Sequence, residues 1–163
     1  MRTADSGVQV SQLDLAEAGQ VAELIADIIS SLTYYNDRAR SEEVAKYGPG
    51  QLVVRCQADP DSVLVAHQGN HPVGFCISRY DDGLIWIEWF GVKKEHRHRG
   101  IGGELLRALA TTLGRRRAHK IWCDTRTENL PSQSVLTRVG FVRVAHLVNH
   151  WYGQDFFIWQ WQP

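Results

Sequence analysis

The stretch EHRHRGIGGELLRALA, Glu95 to Ala110, sets three glycines and several basic side chains at the start of an apolar-periodic helix. A helix N-terminus leaves four backbone N–H groups without intrahelical partners, and with the helix dipole these attract an anion. Gly100, Gly102 and Gly103 let a ligand approach the backbone with no Cβ in the way. Lys94, His96, Arg97, His98 and Arg99 raise the local positive potential. A phosphate or pyrophosphate is the guest these residue types fit. No G-K-[ST] follows, so the stretch is not a Walker loop, and the G-x-G-x-x-G of a dinucleotide fold is absent too. A glycine-rich turn carrying ordinary surface charge is the second reading these residues alone allow.

Other reactive side chains are less informative. Cys56, Cys76 and Cys123 are scattered, odd in number and without metal-site spacing, which reads as reduced, buried and cytosolic. A covalent route through Cys123 is conceivable, but an inert buried thiol is the ordinary reading. His146 and His150 have no third ligand at a recognisable spacing, so no metal is expected.

Stepping outward, the glycine junction must be held by a strand and a helix. LIWIEWFGV precedes it as a strand, and a helix runs from Gly100 towards Arg117 with Leu105, Leu106, Leu109 and Leu113 as its buried stripe. Upstream, GVQV reads as a short strand. A helix follows Asp14 as N-cap, with Val21, Leu24, Ile25, Ile28, Ile29 and Leu32 on one face. TYYNDRAR reads as loop or helix end, and Ser41 as the cap of a short helix reaching Tyr47. QLVVRCQ fits helix or strand, with helix preferred. SVLVAHQ and PVGFCISRY flank the turn GN, and DDG turns the chain into LIWIEWFGV, giving three consecutive antiparallel strands. KIWCDT is a short central strand. A helix begins at Pro131 and ends at Gly140–Phe141, and the last two strands form a hairpin across Gly153. The six tryptophans all follow residue 85 and read as core and edge packing, some walling a groove.

The 163 residues fit one domain, with residues 1–6 expected to be flexible, and the element order argues a mixed α/β architecture. Eighteen basic and eighteen acidic residues give a formal net charge of zero, which offers no global argument for nucleic acid or membrane binding. No apolar signal core opens the chain, and no apolar run approaches the ~20 residues a membrane span needs. A cytoplasmic protein is expected.

RHRGIG, Arg97 to Gly102, resembles the R/Q-x-x-G-x-G/A motif of the GNAT N-acetyltransferases, and NLPSQSVLTRVGF, Asn129 to Phe141, is similar to that family's N-x-x-A…G-F segment. The ordered pair covers roughly Ile85 to Phe141. The resemblance implies the acyl-CoA N-acyltransferase (GNAT) fold, a single mixed, mostly antiparallel sheet flanked by helices, and an enzyme moving an acetyl group from acetyl-CoA to a primary amine. It implies that Arg97, His98, Arg99, Gly100, Ile101, Gly102 and Gly103 hold the pyrophosphate. It also implies that β-strand backbone at Phe90 and Val92 contacts the pantetheine, in a gap between IEWFGV and KIWCD, and that Asn129 sits beside that arm. Glu88 falls where the family often places its acidic residue. Desolvation by Trp86, Ile87, Trp89 and Phe90 would raise such a carboxylate towards general-base or water-holding work, while pairing with an arginine is its plainer role. The tyrosine many members use as general acid is replaced by Leu136, which leaves the acid unassigned among Tyr152, His146, Ser134, Tyr34 and Tyr35. Tyr34, Tyr35, Asp82 and Trp89 are expected at the acceptor site. Acidic and aromatic residues favour a small cationic amine, against a protein N-terminus or lysine, or a non-catalytic acyl-CoA sensor. A homodimer through the final strands and a monomer both stay open.

Overall fold

The strand segment VLVA is apolar on both faces because helices cover both sides of it in the computed structural model, which describes residues 7–163. The segment 1–6, expected to be flexible, lies outside the described residues. The described strands are β1 (Val8–Gln12), β2 (Val63–Gln68), β3 (His71–Asp81), β4 (Leu84–Val92), β5 (Lys120–Arg126), β6 (Val142–Leu147) and β7 (Phe156–Trp161). They form one sheet in the order β1-β2-β3-β4-β5-β7-β6. Among the described residues β4 with β5 is the one parallel pair; the other neighbours run antiparallel. This is the mixed, mostly antiparallel sheet the sequence implies. No described helix is long and apolar enough to cross a membrane.

Helices α1 (Ala18–Ser30), α2 (Asp37–Val44) and α3 (Pro49–Ala58) lie on one side of the chain's path, and α4 (Ile101–Ala110) and α5 (Leu130–Val139) on the other. Val63, Val65, Phe75 and Ile77 pack under α1 and α3 with Ile25, Ile29 and Leu52. The alternate residues Leu64, Ala66 and Cys76, with Ile85 and Ile87, pack under α4 with Leu105, Leu106 and Leu109. Each of those fully buried leucines contributes ~1.5–3 kcal/mol relative to an exposed one.

Local chemistry sets the ends. The Asp14 carboxylate accepts from Ala16 N at 3.0 Å and opens the first helical turn. The second helix begins earlier than Ser41: Asn36 is its cap, its Oδ1 accepting from Ala39 N at 2.9 Å. The fourth helix ends at Ala110 and not near Arg117. The Thr111 and Thr112 hydroxyls each donate back at 2.7 Å, to Ala108 O and Leu109 O, which favours a turn over continued helix. Leu113 still reaches the core.

Two features shape β4. Its register against β3 pairs Ile77 with Trp89 and Ser78 with Ile87, which leaves Glu88 as the extra residue of a β-bulge. Beyond the bulge the facing of side chains reverses: Ile87 and Phe90 both pack on the α4 side, whereas Trp89 packs towards α1. At Gly91 a Cβ would lie 2.9 Å from Ile28 Cγ2 and 3.3 Å from the Phe75 ring, so α1 sits directly on the β4 backbone there. Gly91→Ala is expected to cost ~1–3 kcal/mol by overpacking, read as a lower urea midpoint at unchanged slope.

Candidate functional site: a parting between two parallel strands

The β4–β5 ladder covers only four rungs, Leu84–Lys120 to Ile87–Cys123. Beyond the last rung β4 continues with β3 as far as Val92, and β5 continues with β7 as far as Arg126. The two arms therefore face each other across a gap, each with one strand edge left without a ladder partner on that side. Such an edge offers N–H and C=O groups to an extended ligand.

The glycine junction stands at the β4 end of this gap. Gly100 caps α4 in a left-handed conformation at φ 82°, and His98 just before it has φ 62°. Gly100 O takes Glu104 N at 3.1 Å, so the N–H groups of Ile101, Gly102 and Gly103 precede the intrahelical ladder. The exposed Arg97 donates Nε–H to Val92 O at 3.0 Å, folding its side chain across the end of β4. His96 Nδ1 is buried with no hydrogen-bond partner. Arg99 is exposed beside it, and Ile101 is buried under the sheet. On the β5 side Asn129 is buried at the start of α5, its Oδ1 accepting from Ser132 N at 3.2 Å. The Tyr34 hydroxyl interacts with the Asn129 side chain and lies within the field of Arg97; burial still raises it above the ordinary phenol range.

Glu43 and Glu88 both lie within the field of Tyr47, and Glu43 lies within that of Asp124. Glu88 is bridged by Arg55 at 2.7 Å and Arg79 at 3.3 Å, and the Tyr47 hydroxyl donates to it at 3.4 Å. Burial, then the Glu88 charge, pushes Tyr47 far up, so it remains a neutral donor. Glu43 accepts from Trp89 Nε1 at 2.9 Å, from the Tyr152 hydroxyl at 2.9 Å and from Lys46 at 2.6 Å. Asp124 is the first residue of the β5 arm beyond the last shared rung. Burial, then the Glu43 charge, pushes it up to about 7 against an ordinary 3.8. Tyr35 packs its ring 5.3 Å from Trp89 and 6.3 Å from Phe156, closing the wall.

The structure thus brings Glu88, Trp89, Tyr34, Tyr35, Phe90, Val92, Asn129 and the residues from Arg97 to Gly103 around one parting. It does not bring Asp82 there. Asp82 occupies the exposed β3–β4 turn at φ 46°, at the other end of β4 and roughly 20 Å of strand from Glu88. The turn places it beside Gly83 and His119 instead. Leu136 is fully buried in the α4–α5 core. The Cys123 thiol is buried and raised well above its usual range, first by burial and next by Asp124, which suits an inert core side chain. No group of three or more His, Cys, Asp or Glu suited to a metal occurs among the described residues.

Two participants were hidden in the sequence, Asp124 inside KIWCDT and Arg126 just after it, whereas Glu43 is among the acidic residues that suit a cationic acceptor. Arg126 is buried and donates to Tyr34 O at 2.9 Å and to Asp155 O, tying the β5 arm to the loop before α2 and to the start of β7. The available signal was a carboxylate inside an otherwise apolar central strand.

The acetyltransferase (GNAT) family model matches residues 29–141, a span holding both arms and the glycine junction. Among similar solved structures is the PaiA N-acetyltransferase of Thermoplasma acidophilum in complex with coenzyme A. It shares 20% identity and a TM-score of 0.79, with 96% of this chain and 99% of that chain covered. The yncA structure from Salmonella typhimurium, with its cofactor acetyl-CoA, shares 19% identity at TM-score 0.74, covering 96% and 94%. Ard1 of Thermoplasma volcanium gives 19% and 0.74, covering 96% and 97%. No curated protein matches the chain.

The Asp124 carboxyl titrates higher in the folded chain than its ordinary 3.8, so its ionisation opposes folding. That cost is absent below about pH 4, grows as pH rises towards 7, and is complete above it. Asp124→Asn is therefore expected to be more stable than the wild type by about 2–4 kcal/mol at pH 8 and equal to it near pH 4, by urea denaturation at the two pH values.

Proposed function

Because the chain belongs to the GNAT acetyltransferase family, we propose that it transfers an acetyl group from acetyl-CoA directly to the primary amine of a small cationic molecule. The observation that carries the acceptor class is the Glu43 carboxylate bonded to the Trp89 indole and within the field of Asp124, beside the Tyr35 ring. Carboxylate oxygens there offer acceptors to an ammonium group, and the aromatic faces add cation–π attraction.

The residues present fit the donor. The amides of Ile101, Gly102 and Gly103, the Arg97, His98 and Arg99 side chains and the left-handed Gly100 would hold the diphosphate. The buried, unpartnered His96 Nδ1 is a further polar atom at the same place. Backbone groups of Phe90 and Val92 would line the pantetheine arm from one side and Asn129 from the other. Bound there, acetyl-CoA supplies the acetyl group as a thioester. A strand-edge N–H aimed at the thioester oxygen would stabilise the charge that develops on it. Glu88, held in place by Arg55 and Arg79, would orient a water beside the amine. Leu136 has no proton to give, so the departing thiolate is not served from the buried face of α5.

Free CoA release, followed across spermidine, 2-phenylethylamine, an aminoglycoside and a peptide with a free N-terminus, tests the reading. Turnover with small amines is expected. Turnover confined to the peptide would assign a protein acceptor, and tight binding without turnover would make the chain a sensor. For the donor, S-acetyl-pantetheine, which lacks the diphosphate, is expected to bind at least ~100-fold more weakly than acetyl-CoA, and Arg97→Ala to lose about 10-fold in acetyl-CoA affinity. Equal binding of the two thioesters would remove the diphosphate site.

A further inference from the structure

The side of the sheet that α1 and α3 cover over β2 and β3 carries a row of aromatic rings over β4 and β5. Ile85, Ile87, Ile121 and Cys123 point into the α4 core, so alternation puts Trp86 and Trp122 on the other face. These two are partners across the β4–β5 ladder, and their ring centroids lie 6.3 Å apart. Trp151, from the β6–β7 loop, stands 6.2 Å from Trp86 and 5.1 Å from Phe156. Phe156 adjoins Tyr35, and Tyr35 adjoins Trp89. The rings therefore run without a break from Trp122 to the wall beside Glu43.

Three features define what this row would receive. Trp151 is 38% exposed, and Trp86 and Trp122 are half-buried, so the surface is open. Trp89, Trp122 and Trp159 donate their indole N–H to Glu43, Gln160 and Thr125, whereas those of Trp86 and Trp151 donate to no described residue. The third feature is charge. Arg79, the cross-strand partner of Trp86, holds its guanidinium 5.5 Å from that ring. One of its N–H groups reaches Glu88 at 3.3 Å, and the others meet no described residue. Lys120 sits 5.1 Å from the Trp122 ring and pairs with no carboxylate among the described residues. A second cation on a ligand would meet like charge here, whereas an oxygen would find donors.

We propose that the acceptor is an arylalkylamine with one ammonium group: the ammonium held at Glu43, the ring laid against Trp86 and Trp151, and an oxygen on the far side of that ring accepting from Arg79. This rests on the acetyl-transfer reading above and narrows its acceptor. Trp86 precedes Glu88 by two residues, ~7 Å of strand, which matches the reach of an ethylamine stem with its ring. Stacking on the row rewards a flat body. Arg79 and Lys120 oppose the further cations of a polyamine or an aminoglycoside. Trp86, Arg79 and Lys120 thus determine specificity at the end of the acceptor remote from the reacting nitrogen.

A series of amines on the wild type tests this without any variant. The probes are n-butylamine, 2-phenylethylamine, tyramine, 4-(2-aminoethyl)benzoate, 4-(2-aminoethyl)benzylamine, which carries a second ammonium on its ring, and spermidine. By kcat/KM the two oxygen-bearing rings should lead 2-phenylethylamine, the benzoate by roughly tenfold. The doubly charged ring and spermidine should fall below 2-phenylethylamine by a similar factor. Variants then assign the residues through ratios, with acetyl-CoA affinity reporting that each is folded. Arg79→Gln should shrink the advantage of the benzoate over the plain ring to about twofold, and Lys120→Glu should narrow the penalty on the doubly charged ring. Trp86→Ala should raise KM for 2-phenylethylamine several-fold more than KM for n-butylamine. The proposal falls if spermidine or the doubly charged ring is preferred, or if Trp86→Ala shifts ring and alkyl amines equally; either result leaves the transfer reading standing. A wild type that turns over none of the probes removes the transfer reading to small amines and this one with it.

Discussion

Strand β5 has two neighbours that diverge. From Ile121 to Cys123 it is paired on both sides, with β4 and with β7; after Cys123 it keeps only β7. An unmatched strand edge in a protein interior leaves backbone donors and acceptors without partners, which is costly unless something else meets them. The chain tolerates this because each arm is anchored elsewhere. The β4 arm is clamped by β3 and by α1, which rides directly on Gly91. The β5 arm is held by β7, with the Trp159 indole donating to Thr125 Oγ1 at 3.0 Å inside the core. The gap is therefore a product of the anchoring on its two outer sides, and a pantetheine-like ligand with alternating amides is the kind of guest that can complete it.

The two ends of the gap are built with different chemistry. At the α4 end, backbone amides and mobile-length arginine and histidine side chains present positive potential at the surface. At the inner end, carboxylates face a wall of aromatic rings. Between them runs Arg126, buried and donating to two main-chain carbonyls, one from the loop before α2 and one at the start of β7. A guanidinium in such a place fixes geometry through several charge-assisted bonds at once. It ties the segment holding Tyr34 and Tyr35 to the strand that carries Asp124. Asn36 adds a second tie, donating to Tyr152 O at 3.0 Å while its backbone N–H donates to Gln154 Oε1.

Much of the scaffold was readable from residue patterns. Helices α1 and α4, the β2–β3–β4 meander and the glycine junction announce themselves by period, turn chemistry and caps. What stayed hidden depended on partners distant in the chain. Asp124 gives no local sign that its carboxylate is the unpaired one of three, since that is decided by Arg55, Arg79, Lys46 and Trp89, all on other elements. Glu88 reads locally as a desolvated acid among aromatic residues, and only the fold reveals the two arginines that engage it. Asp82 looked acidic and available, but a turn at the far end of β4 carries it away. The end of α4 was missed because Thr111 and Thr112 satisfy helix carbonyls with their own hydroxyls, a competition that apolar periodicity does not register. Ser41 is a good local cap signal, but Asn36 caps α2, its carbonyl oxygen accepting from Ala39 N while its amide donates to Tyr152 O on a distant loop.

The bulge at Glu88 acts as a parity switch for β4. Upstream of it the odd-numbered residues Ile85 and Ile87 belong to the α4 core; downstream the even-numbered Phe90 and Val92 do. Removing Glu88 would zip β4 to β3 without interruption and leave Ile87, Trp89 and Phe90 facing as they do, while taking away the carboxylate that Arg55 and Arg79 bridge. The bulge thus lets this nine-residue strand carry one residue more than the β3 stretch opposite it and still keep the apolar side chains on either side of Glu88 in their own layers.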